Sequence, residues 1–85
     1  MKVIKLDRRH RLKKLGFDHA FVFDGYGAES AKITEIERIL YNIAGDNGER
    51  NNWFWHWARY KRAETVRPYY IGVRDETMIT QILLM

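Results

Sequence analysis

The sequence predicts a small α+β domain: a short basic helix, then the order β-α-β-β-α, with a three-stranded, mainly antiparallel sheet and its helices packed on one face. Three observations carry this. Residues 29–44 place Ile33, Ile36, Ile39, Leu40 and Ile43 at spacings of three and four, with Lys32, Glu35 and Arg38 on the other side, which is the stripe of an amphipathic helix. Residues 17–24 and 69–74 alternate instead, with the two-residue period of a strand. Between Trp53 and Arg62 the chain reads WFWHWARYKR, which holds all three tryptophans, a phenylalanine, a tyrosine, a histidine and three cations.

Taken in order, residues 2–6 (KVIKL) read as a short strand or an ordered tail. Asp7 is a good helix cap, and RRHRLKKL follows with Leu12 and Leu15 on one side before Gly16 ends it. Its like charges repel, so this helix needs tertiary packing or an anionic partner. In residues 17–24, Phe17, His19, Phe21 and Phe23 form one strand face, and Asp18, Ala20, Val22 and Asp24 the other. Gly25 and Gly27 break the strand, and the long helix follows, with Ser30 or Glu29 at its start and Gly45 at its end. Residues 46–52 (DNGERNN) are turn-rich. The aromatic strand spans roughly residues 53–62, and residues 63–66 form a loop. Pro68 sits where a strand can begin. Tyr69, Ile71 and Val73 alternate with Tyr70, Gly72 and Arg74 in a strand that pairs antiparallel with the aromatic one. Asp75 caps ETMITQILLM, where Met78, Ile79, Ile82 and Leu83 make a helical stripe.

Eighty-five residues make one domain, 1–85, with residues 1–6 as its least anchored part. There is no cysteine, so neither disulfides nor a thiolate zinc site can staple the fold, and the composition fits a reducing, cytoplasmic compartment. No segment approaches the roughly 20 apolar residues of a membrane helix. The basic amino terminus has no apolar stretch behind it and does not read as a signal peptide. An apolar fraction of 46% with a single proline argues against disorder.

Charge is unevenly placed. Residues 1–14 carry seven cations against Asp7, residues 15–49 carry Lys32 and Arg38 against seven acids, and residues 50–74 carry six cations against Glu64. Two basic blocks thus flank an acidic one. A fold that joins the basic blocks makes a surface attractive to phosphate or to an acidic protein, whereas scattered they are a solvated surface.

No motif names a reaction. The loop Gly25-Tyr26-Gly27-Ala28-Glu29-Ser30 lies where a dinucleotide fingerprint would sit, but Ser30 replaces the third glycine and Glu29 repels phosphate at the helix terminus. Phe21–Gly25 (FVFDG) resembles part of the haloacid dehalogenase phosphatase signature, yet the second aspartate is missing. Ala20-Phe21-Val22-Phe23 faintly resembles the aromatic strand of RNA-recognition-motif domains over fewer than ten residues with the wrong spacing, which identifies nothing. His10, His19 and His56 show no ligand spacing, so no metal and no cofactor are expected. The chain is read as non-enzymatic.

What remains is the aromatic and basic surface. In a strand, Trp53, Trp55 and Trp57 share one face, and Phe54, His56 and Tyr60 the other. Three alternate tryptophans are the core side of a strand under a helix, and a small domain covers only one face. Phe54, His56, Tyr60, Tyr69 and Tyr70 then become the outer rings, with Arg59, Lys61, Arg62 and Arg67 beside them. Arg8, Arg9, Arg11, Lys13 and Lys14 would act as a phosphate clamp. This reading gives a module for nucleic acid or a nucleoprotein target. The alternative uses the same rings as a protein-binding hot spot in an accessory or inhibitory protein of the phage or mobile-element type, or in a homodimer.

Overall fold

The computed structural model describes residues 1–24, 29–57 and 68–84. Its elements are β1 (Lys2–Lys5), α1 (Arg11–Lys14), β2 (His19–Phe23), α2 (Ser30–Ala44), β3 (Trp53–Trp57), β4 (Tyr69–Val73) and α3 (Glu76–Leu83). The strands form one antiparallel sheet in the order β1-β2-β4-β3. The sheet therefore has four strands where three were expected, because residues 2–5 pair with β2 along their whole length, Val3 opposite Phe21 and Lys5 opposite His19. β4 lies between β2 and β3, so the β2-α2-β3 connection joins two parallel strands across it. Among the described residues, β1 and β3 are the edges.

Residues in register share a face. On one side stand Val3, Phe21, Phe23, Ile71, Val73 and Trp53, packed with Ile33, Ile36 and Leu40 of α2 and Ile79 and Ile82 of α3. This is the main core, and it uses the apolar stripes of both longer helices. Gly45 ends α2 at φ 79°, a left-handed conformation that suits glycine. The Asp75 carboxylate caps α3 by accepting the Thr77 amide at 2.9 Å.

The opposite face corrects the expectation that all helices lie on one side. Leu6, Leu12 and Phe17 cover it, packing on Ala20 with Ile4, Phe54 and Tyr70 at the margin. The approach is close because β4 carries Gly72 there: a Cβ at that position would lie 3.1 Å from Leu12 Cδ1 and 3.2 Å from Phe17 Cγ. Phe17 consequently belongs to this second cluster and not to the aromatic face of β2, which begins only at His19.

α1 is also shorter than expected, and its cap is His10 and not Asp7. Asp7 closes the preceding turn, its carboxylate accepting the Arg9 amide at 2.7 Å and its carbonyl the His10 amide at 2.9 Å. His10 Nδ1 then accepts the Leu12 amide at 3.1 Å.

Candidate functional site

The fold sets the basic amino-terminal segment directly on the sheet face that bears Phe54, His56 and Tyr70. The hinge of this arrangement is His10. Its ring meets Tyr70 edge-on at 4.7 Å between centroids and His56 at 5.5 Å. His56 and Tyr70 face each other across β3 and β4, with centroids 6.2 Å apart. All three rings, and Phe54, are half-buried, so each keeps part of its surface in solvent. Burial of the His10 imidazole pulls its pKa below the ordinary value, with Asp7 opposing.

Cations flank His10 along residues 8–14. Arg11 pairs with Glu49 at 3.6 Å, and Lys13 is bound to Asp18, whose carboxyl is held below its usual range by that ammonium. Arg8, Arg9 and Lys14 are exposed and make no ion pair among the described residues. The segment thus carries three exposed cations without an ion pair among the described residues, in the same turn as the His10 ring that touches His56 and Tyr70. Arg74 of the second basic block is engaged in structure, its guanidinium donating to the carbonyls of Asn51 (2.7 Å), Leu15 (3.0 Å) and Glu49.

Of the residues selected from sequence, Arg8, Arg9, Arg11, Lys13, Lys14, Phe54, His56 and Tyr70 fall together on this side. Tyr69 does not. It is 4% exposed, packs beside Phe23, and turns to the main core, because neighbouring strand residues point to opposite faces. Arg59, Tyr60, Lys61, Arg62 and Arg67 lie outside the described residues, as does the ring of Trp57. Sequence reasoning missed the capping role of His10, which is not a usual helix cap.

The tryptophan face divides. Trp53 is fully buried, its indole N–H donating to the Gly45 carbonyl at 2.8 Å and its ring meeting Tyr41 edge-on at 4.9 Å. Trp55, two residues along the edge strand, stacks near Tyr69 but remains 39% exposed.

No group of three or more histidine or acidic side chains among the described residues could hold a metal ion. No helix among them is long and apolar enough to cross a membrane. No family model, curated protein or solved structure matches the chain.

Proposed function

We propose that the protein is a small non-enzymatic binding module for single-stranded nucleic acid, free or within a nucleoprotein. Bases would stack on Tyr70, His56 and Phe54 while Arg8, Arg9 and Lys14 hold phosphates. The observation that supports this most is the contact of His10 with Tyr70 and His56, which sets the cationic turn next to the partly open rings. Stacking on an aromatic ring contributes about 1–3 kcal/mol per base, and unpaired cations supply the sequence-independent remainder.

The test is a fluorescence-anisotropy titration with labelled single-stranded DNA and RNA at rising salt. Three phosphate contacts give a slope of log K against log salt of about −2. Tyr70→Ala should weaken binding about tenfold, and Arg8→Glu with Arg9→Glu should abolish it. Absence of binding at low salt sinks the reading.

A second reading, a protein-binding accessory module, draws on Trp55, which is 39% exposed on the sheet face opposite the segment that packs Leu12 and Phe17. It predicts binding that responds to ring truncation and little to salt.

A further inference from the structure

Successive strand residues point to opposite faces, so the face away from the main core carries two rows of side chains across the sheet. One row is Ile4, Ala20, Gly72 and Phe54, and Leu12 and Phe17 are seated on it. The other is Lys2, Val22, Tyr70 and His56, which stand opposite one another strand by strand. It spans about 14 Å from β1 to β3, three strand spacings. None of its four residues is fully buried: Lys2 is exposed, and Val22, Tyr70 and His56 are half-buried.

The cationic turn leads onto this row. The chain leaves β1 at Leu6, whose amide donates to the Asp18 carbonyl at 2.7 Å, and it reaches the row at His10, whose ring touches Tyr70 and His56. Arg8 and Arg9 lie on the stretch between these anchors, and both are exposed. Lys2 puts a further cation at the β1 end of the row, and it has no ion pair among the described residues. Lys5 closes the same strand with the same charge and is also exposed. It stands opposite His19, however, and so points to the main-core side of the sheet. The two lysines of β1 are thus a matched pair that differ in the face they serve.

We infer that Lys2 and Val22 carry the nucleic-acid surface to the far edge of the sheet, so that a single-stranded segment crosses it along this row instead of ending at Tyr70. The inference rests on the reading of Tyr70, His56 and the cationic turn as the binding site. Val22 offers an apolar seat for a base or sugar between Tyr70 and Lys2, and Lys2 holds a phosphate at the β1 end. The width suits two or three stacked bases, the load that a four-stranded sheet face can carry. Cations at one end and on the adjoining turn, with aromatic and apolar groups between them, are complementary to a chain of phosphates and bases. An acidic peptide would match the cations alone.

Fluorescence anisotropy of the full chain with labelled oligo-dT and oligo-U of about ten nucleotides tests this. Each phosphate contact to a single strand adds about 0.7 to the salt slope, which is about fivefold in affinity at about 0.1 M salt. Lys2→Ala should weaken binding about fivefold and flatten the slope from about −2.8 to about −2. Lys5→Ala, an equal change of charge on the other face, should stay within about twofold. Val22→Tyr sets a further ring in the row, in a strand position that favours tyrosine, and should tighten binding about fivefold. Such a gain cannot come from a damaged fold. Equal losses in the two lysine variants, or a Val22→Tyr that binds no better, overturn the inference. If Tyr70→Ala still weakens binding in that case, the site stands without its extension. Poly-glutamate that competes as well as the oligonucleotide assigns the row to an acidic protein and overturns the inference too. A wild type that binds neither oligonucleotide at low salt removes the site and the extension together.

Discussion

The guanidinium carbon of Arg74 lies 4.1 Å from the centre of the Phe17 ring. One side chain at the end of β4 thus stacks on the cluster beneath α1 and also donates to carbonyls of the α1 turn and of the loop before β3. Three carbonyls from two segments converge on one planar fork, a geometry that the point charge of lysine cannot reproduce. Arg74→Ala should lower the unfolding free energy by about 2 kcal/mol, and Arg74→Lys should recover less than half of that. Urea denaturation measures both, and a loss within about 0.5 kcal/mol for Arg74→Ala refutes the role.

Gly72 permits the close seat of Leu12 and Phe17 on the sheet. The added methyl of Gly72→Ala meets both side chains at distances tighter than ordinary van der Waals contact, so the segment 6–17 must shift outward. The expected loss is about 1–3 kcal/mol, with amide-exchange protection falling first at Leu12 and Phe17. Unchanged protection in a stably folded variant argues against it.

Trp53 and Trp55 of β3 should behave differently. Trp53→Phe removes the indole donor from the Gly45 carbonyl and thins the contact with Tyr41, at about 2 kcal/mol. Trp55→Phe should stay within about 0.5 kcal/mol under dilute conditions, because the ring is partly solvated. Acrylamide quenching of single-tryptophan variants should reach Trp55 and spare Trp53. Equal quenching of the two contradicts the burial difference.

Much of the architecture was legible because it follows local periodicity. The isoleucine stripe of α2, the Gly45 stop, the alternation of β4 and the Asp75 cap of α3 are each short-range patterns, and each element stands where its pattern placed it. Non-local facts were not legible. Four residues with lysines at both ends become β1 only because β2 offers them an edge. Alternation placed Trp53 and Trp55 on one face, but their unequal burial follows from the end of α2, which covers Trp53 with Tyr41 and Gly45. The second face seemed uncovered because Leu6, Leu12 and Phe17 were read in separate elements. Gly72, seventy-one places after Met1 and remote from them all, is what lets them meet the sheet. The cationic turn beside His56 and Tyr70 depends on that same docking.

His10 makes this docking sensitive to acid. Its Nδ1 accepts the Leu12 amide, which requires the neutral imidazole, and burial holds its pKa below the ordinary 6.5. The unfolded chain therefore binds the proton more readily than the folded one, so stability falls as pH drops below about 6.5 and the loss is complete below the folded pKa. Protonation also turns Nδ1 into a donor facing a donor and places a cation against His56. Asn is a good helix cap that does not titrate, so His10→Asn should keep α1 in place and remove this component. Asp18, whose pKa is lowered, loses its contribution only at more acidic pH, and Glu37, whose pKa is raised, acts in the opposite direction to His10. The informative quantity is accordingly the difference between wild type and His10→Asn in urea denaturation at about pH 7.5 and about pH 5.5. The wild type should lose more stability over that interval. Parallel losses in the two proteins would show that the His10 cap does not titrate with folding.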